Sequence, residues 1–363
     1  MNQPFADLVV VELAGVLAGP SVGLFFAELG AKVIKIENPK TEGDVTRSWK
    51  SSTEDIKSST SAYYWSVNAG KDILFLDLTS TSDLETFYNL IKTADVLISN
   101  YKLGDDVKLK VDYETLQALN TQLIYASING FGSQNPRTAY DLILQAESGF
   151  MFMNGEKKSG VEALETQPLK MPVALIDLLA GHQLKEAILI ALLKKHKTQT
   201  GSHLSVSLFD SALASLANQA TNWLIAHHLP TAQGSLHPNI APYGELFLTQ
   251  DQHQITFAIG SNAQFKQLCL ILKLNLFENE MYNTNQQRVV NRNALFELLN
   301  EKITQITFDE LFKLCLQNDV PIGKIRNLEE VFTLPEAQHM LHYFKDNHTN
   351  LTTVKSVAFQ FLK

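Results

Sequence analysis

Short apolar runs rich in Val and Ile recur through the first half of the chain, and stretches of helical spacing separate them. "DLVVVEL" (7–13), "AKVIKIE" (31–37), "KDILFLDL" (71–78), "DVLISN" (95–100) and "QLIYASI" (122–128) read as strands, and "MPVALID" (171–177) reads as a further one. Between them lie an apolar helix after Gly19, "SDLETFYNLIKTA" (82–94), "DYETLQALN" (112–120) and "LLAGHQLKEAILIALLKKHK" (178–197). β-branched runs of this length, alternating with helices of about 10–15 residues, predict a mostly parallel sheet covered on both faces. In such sheets ligands gather at the carboxyl ends of the strands.

The texture changes after residue 200. "SVSLFDSALASLANQATNWLIAHH" (205–228) has apolar residues at helical spacing and predicts one long connecting helix. A turn-rich segment, "LPTAQGSLHPNIAPYGELF", follows, then the strand-like "HQITFAIG" and the amphipathic "SNAQFKQLCLILKL" and "RNALFELLNEKI". The expected organisation is an α/β protein with a large Rossmann-like domain at 1–200 completed by the tail at 326–363. A connecting helix at 201–227 leads to a smaller α+β domain at 228–325. The serine-rich segment at 51–61 reads as a polar insertion.

A net charge of −8 argues against a nucleic-acid partner, and any anionic ligand must be met by local positive groups. Cys269 and Cys315 are far apart and in no metal-ligand spacing, which fits a reducing compartment. The N-terminal apolar stretch lacks a basic start and contains Asp7 and Glu12, so it does not read as a secretory signal. No uninterrupted apolar run reaches about 18 residues. The expectation is a cytoplasmic protein without a membrane span.

Gly15, just before "VLAGPSVGLFFAELGAKVIKIENP" (16–39), and Gly19 and Gly23 within it fall every fourth residue rather than in the G-x-G-x-x-G spacing of a dinucleotide cradle. Such glycines suit either close helix packing or a ligand-facing turn. Glu37, ending its strand, suits either a ribose hydroxyl or plain solvation. The same stretch begins a series that resembles family III CoA-transferases. "VLAGP" and "LGAKVIKIE" are followed by "GDVTRSW" (43–49), "NAGKDILFLDL" (68–78), "ADVLISNYKLG" (94–104) and "IYASINGFG" (124–132). "YDLILQAESG" (140–149), "LIDLLAG" (175–181), "TGSHLSVSLFD" (200–210), "HPNIAPYGEL" (237–246) and "VPIGKIRNLEEVF" (320–332) complete it.

From the residues alone, Asp177 is either a helix N-cap at the end of the strand-like "MPVALI" or a catalytic carboxylate. The resemblance places the family's nucleophilic aspartate at Asp177, where a helix N-terminus would keep it ionised at neutral pH. It implies CoA transfer from an acyl-CoA to a carboxylic acid through an aspartyl intermediate. Asp141 resembles a second acidic position of that site, with an N-cap as its other reading. Tyr140 stands where the racemase branch of the family carries a histidine. A phenol of ordinary pKa about 10 is a poor base at neutral pH, which favours transfer over α-carbon racemisation. Val173, where that branch has an asparagine, agrees.

The resemblance puts Val16, Leu17 and Ala18 along the pantetheine path of CoA and Asn100 and Tyr101 at its adenine end. Arg47, Lys71 and Arg137 are candidates for its phosphates. Asn239, Ala241, Pro242 and Tyr243 would form an active-site wall. The resemblance further implies an interlocked homodimer and no tightly bound cofactor, with the CoA thioester as substrate. No metal site is expected, since His182, His227, His228 and His237 have no ligand spacing. A racemase and a catalytically silent CoA-binding homodimer are the competing readings.

Overall fold

The computed structural model describes residues 3–155, 167–346 and 349–360. Its largest sheet has six parallel strands: β1 (Val9–Leu13), β2 (Lys32–Glu37), β3 (Asp72–Phe75), β4 (Val96–Ser99), β5 (Ile124–Asn129) and β6 (Ser202–Ser207). The spatial order is β3-β2-β1-β4-β5-β6, so the winding reverses between β1 and β4. Val10 pairs with Val33 on one side and Val96 on the other, and β1 is apolar but for Glu12 because both its faces are covered. One face packs on the Ala18–Glu28 and Leu175–Thr198 helices through Val10, Val22, Phe26, Ile98, Ile176 and Leu184. The other packs on the Thr81–Ile91 and Tyr113–Leu119 helices through Val11, Phe87, Ile91, Leu97 and Leu116.

The two helices of the first face cross at bare backbone. A Cβ on Gly181 would overlap Ser21 Oγ and lie 3.1 Å from the Ala18 carbonyl. Gly19 packs in the same way on Ala14, and Gly23 on the Glu12 carboxylate. Gly19 and Gly23 therefore serve close packing, whereas a Cβ on Gly15 would meet Asp44 only at ordinary contact distance.

Two expected elements differ. "MPVALI" is not a strand, because Leu175 already begins a 24-residue helix. The segment 205–228 is not one helix. Its first residues end the edge strand β6, Ser207 then caps a helix at Leu208–Ala214, and a second helix runs Ala217–Leu224 after a break. β6 alternates partly buried and exposed positions, as an edge strand does, and so lacks the solid apolar signal of its neighbours.

The chain divides into two compact units, 1–151 with 170–228 and 339–363, and 152–169 with 229–338. In the second unit, β7 (Tyr243–Leu248), β8 (Gln254–Ala258) and β9 (Ile322–Lys324) form an antiparallel sheet in that order. Phe247, Ile255, Phe257, Phe265 and Leu299 fill its core, where both cysteines are buried as free thiols. In the first unit, the tail is fastened by the backbone N–H groups of Ser356 and Val357, which donate to Glu28. Among the described residues no helix is long and apolar enough to cross a membrane, and no cluster of acidic, His or Cys side chains is gathered to hold a metal.

Candidate active site

The reversal point between β1 and β4 is bridged by one side chain. Gly15, just after β1, donates its N–H to Asn100 Oδ1 at 3.0 Å and accepts from Asn100 Nδ2 at 2.8 Å. Val16 follows with φ +69°, a left-handed conformation costly for a β-branched residue. Its N–H is held by the Asp44 carboxylate, 3.2 Å from Oδ2.

Asp44 is anchored from below by buried charges. Lys35 Nζ lies 3.0 Å from both Glu12 and Asp44 and donates to the Ala14 carbonyl at 2.6 Å. Burial alone would lower the Lys35 pKa, but the two carboxylates outweigh it and raise it. Lys71 contacts Glu12 at 2.8 Å, the Pro20 carbonyl and Asn68. Here burial wins, and Lys71 is pushed down to about 8. Glu37 holds the Asp44 N–H, the Tyr64 hydroxyl and the Arg47 guanidinium. Three carboxylates and three cations thus compensate one another beneath the Gly15–Val16 turn.

Asp177 is the third residue of the Leu175–Thr198 helix, which starts from Ala174 without a cap from its own segment. The cap comes from Asp141, the first residue of the Asp141–Glu147 helix. Asp141 Oδ1 accepts from the Ile176 N–H at 2.7 Å and, more weakly, from the Asp177 N–H at 3.4 Å. Asp177 is therefore neither an N-cap nor at a strand end, while Asp141 caps a helix other than its own. No described group donates a hydrogen bond to the Asp177 carboxyl, which is 8% exposed. Burial, then the nearby Asp141 charge, pushes its pKa up to about 7. The expectation of full ionisation at neutral pH is corrected accordingly, because desolvation beside a like charge outweighs the helix dipole. Tyr63 faces the same place: burial first, then Asp177, Asp141 and Asp44, raise its pKa.

The other expected residues divide. Val16, Leu17 and Ala18 form the turn and the start of the first helix beside Asp44. Asn100 spends both ends of its amide on Gly15, and Tyr101 is buried enough to be raised to about 12. Lys71 is enclosed by Glu12 and backbone, so it cannot meet a phosphate. Arg47 is tied to Glu37 at 2.6 Å and lies 4.1 Å over the Tyr64 ring, which likewise uses it internally. Glu37 is 3% exposed and saturated by these partners, so it is neither a ribose acceptor nor solvated. Arg137 stays at the surface, forked onto Glu147 and 4.1 Å over Phe131. Tyr140 is 58% exposed.

Asn239, Ala241, Pro242 and Tyr243 lie in the second unit. There Asn285 accepts from the Ala241 N–H at 3.2 Å and donates to the Asn239 carbonyl, and Arg288 Nε donates to the Ala241 carbonyl at 2.8 Å. Sequence reasoning missed Glu12, Lys35, Asp44, Tyr63 and Gln145. Lys and Glu inside the strand-like "VVVEL" and "KVIKIE" were the available signal, since a charge within a two-sided buried strand needs a partner.

Comparison with known proteins adds an independent line. The sequence profile of CoA-transferase family III matches residues 5–362. The chain is 38% identical to succinate–glutarate CoA-transferase of Agrobacterium fabrum over 93% of this chain and 84% of that one. It is 32% identical to human succinyl-CoA:glutarate CoA-transferase over 93% and 75%, and 32% identical to acetyl-CoA:oxalate CoA-transferase of Acetobacter aceti over 93% and 85%. Among solved structures it resembles a CAIB/BAIF family protein from Brucella suis. The TM-score is 0.84 and the identity 36%, over 99% of this chain and 93% of that one.

Proposed function

We propose, from the premise that this chain belongs to CoA-transferase family III, that it moves coenzyme A between carboxylic acids through a covalent intermediate on Asp177. The observation that carries the reading is the Asp177 carboxyl: buried, without a hydrogen-bond donor, and raised to about 7 beside Asp141. A desolvated, more basic carboxylate is a better nucleophile than an ordinary one.

Asp177 Oδ attacks the thioester carbonyl, the C–S bond breaks, and a mixed anhydride and CoA thiolate result. The thiolate attacks the aspartyl carbonyl and expels the donor acid, leaving an aspartyl-CoA thioester. The acceptor carboxylate attacks that thioester carbonyl and releases the thiolate, giving a second anhydride. The thiolate then attacks the acceptor's carbonyl and returns Asp177 as carboxylate. Charge is conserved at each step, and no redox group is required. Backbone N–H groups near the site serve each tetrahedral oxyanion, an interaction worth about 2.7–4 kcal/mol where one such donor has been removed.

The relatives' names point to dicarboxylic acids such as glutarate and oxalate as acceptors. The reading includes CoA along Val16–Ala18 with Arg137 toward a phosphate, and self-association as a homodimer, for which light scattering would give twice the chain mass. The central test is incubation with succinyl-CoA in heavy water, hydroxylamine trapping and peptide mass spectrometry. A hydroxamate on Asp177 is expected. Deuterium at the acyl α-carbon without any adduct would overturn the reading.

A further inference from the structure

Gln145 is 1% exposed and lies one turn after Asp141 on the same helix. Its carboxamide is used at both ends. Oε1 accepts from the Met171 N–H at 2.8 Å, and Nε2 donates to Asp141 Oδ2 at 2.5 Å. The Met171 contact fixes the orientation, because a backbone N–H must meet the oxygen and so turns the NH2 group toward Asp141. Asp141 is thus met by donors on both oxygens: Ile176 and Asp177 on Oδ1, Gln145 on Oδ2. An ionised carboxylate satisfies all of them. A proton on Oδ2 would instead face an N–H and collide with it.

We infer that Gln145 is a positioning residue for the transfer reaction: by donating to Asp141 Oδ2 it keeps the proton of the acid pair on Asp177, and so sets the pH at which Asp177 becomes a nucleophile. The inference rests on the proposed role of Asp177. It adds that the nucleophile's proton affinity is controlled by a neutral side chain whose hydrogen bonds go to Asp141 and Met171 rather than to Asp177.

The groups around the acid pair come from several elements. Asp141 and Gln145 belong to one helix, and Tyr63 comes from the Ala62–Asn68 helix with Asp44 beside it. On the helix of Asp177 itself, His182, Lys185 and Glu186 act on one another further along. Among the described residues no cation pairs with Asp141 or Asp177. The donor set on Asp141 is therefore the local means of choosing which carboxyl holds the proton.

Two substitutions move the choice in opposite directions. In Gln145→Leu the donor facing Asp141 Oδ2 is gone, and with it the contact that keeps the pair's proton on Asp177. In Gln145→Glu, a carboxyl able to ionise replaces the amide, so the site gains an acceptor and a negative charge. Both are compared with wild type in the full-length protein, using succinyl-CoA and glutarate as probes. One measurement is the acid limb of the kcat/KM profile. The other is the ligand-free titration of Asp177, followed by carboxyl 13C resonance and assigned by its loss in Asp177→Asn.

The expected result is a shift of at least about one pH unit downward in the Leu variant and upward in the Glu variant, the scale of losing or reversing one charge-assisted hydrogen bond. A limb and titration that stay in place while the melting temperature falls would make Gln145 merely structural and overturn the inference. If one variant does not fold, the direction in the other decides. The failure of the wider reading looks different: Asp177→Asn would keep its turnover, while the carboxyl titration would still report on Gln145.

Discussion

Replacing Asp177 by asparagine is expected to abolish transfer and to stabilise the protein, and the stability gain is expected to depend on pH in a calculable way. In the unfolded chain this carboxyl ionises near its ordinary 3.8, whereas in the folded chain it holds its proton up to about 7. The folded state therefore binds more protons between those values. Its stability is fully present below about pH 4 and is lost as pH rises through 7. The gap of about three pH units, at about 1.36 kcal/mol each, amounts to about 4 kcal/mol by pH 8. Asparagine carries no charge at any of these pH values and fits the helix first turn about as well. Its gain should be about 1.5 kcal/mol at pH 5 and about 4 kcal/mol at pH 8, by the same linkage. Calorimetric melts of both proteins at the two pH values measure the difference, alongside transfer rates that should fall on the order of 10³-fold or more. Equal gains at pH 5 and pH 8 would refute the reasoning, because they would mean that Asp177 does not titrate between them. A gain that grows with pH as expected would instead show that the proposed nucleophile is a residue the fold holds at a cost, as reactive groups often are.

Three further perturbations test the surroundings. Gly23→Ala would push a methyl into the Glu12 carboxylate and to 3.1 Å from Lys71 Nζ, and forcing that buried pair apart should cost about 3–5 kcal/mol, read as a large fall in melting temperature. Asp44→Ala leaves the Val16 N–H without its acceptor and Lys35 with Glu12 as its remaining carboxylate, so the KM for acyl-CoA should rise by more than kcat falls. Unchanged KM would show that the turn keeps its shape without Asp44. Arg137→Ala breaks an exposed pair with Glu147 and should leave the melting temperature unchanged, while a raised KM for CoA thioesters that is lost with dephospho-CoA substrates would assign it to a phosphate.

The sheet was legible because β1, β2, β4 and β5 are short, β-branched and flanked by helices, and no tertiary contact had to be known to read them. β6 was hidden because an edge strand needs an apolar surface on one face alone, and "SHLSVS" carries little of it. "MPVALI" misled for the opposite reason. Its apolar, branched residues suit a strand, but the helix begins at Leu175 because Asp141, more than thirty residues earlier, supplies the cap. Propensity is local, and this cap is not.

The same distinction runs through the candidate site. Asp177 and Asp141 could be picked out by resemblance, yet what each does to the other depends on a hydrogen bond that closes only in the fold. Arg47 and Lys71 looked available for phosphates because a cation in a polar stretch is usually solvated; both are instead held inside by Glu37 and Glu12, carboxylates that themselves read as strand residues. Charges in buried strands are costly unless paired. Glu12 and Lys35 within apolar runs therefore announced a network without naming its other members. Finding Asp44, Arg47 and Lys71 required the β1–β2 register, which brings Glu12 beside Lys35. The network stabilises a turn with Val16 in a left-handed conformation, so the strain at the candidate CoA path is balanced by ion pairs that include Asp44, the acceptor of the Val16 N–H. The buried charges thus support the Gly15–Val16 turn, and of the three cations proposed for CoA phosphates Arg137 is the one left at the surface.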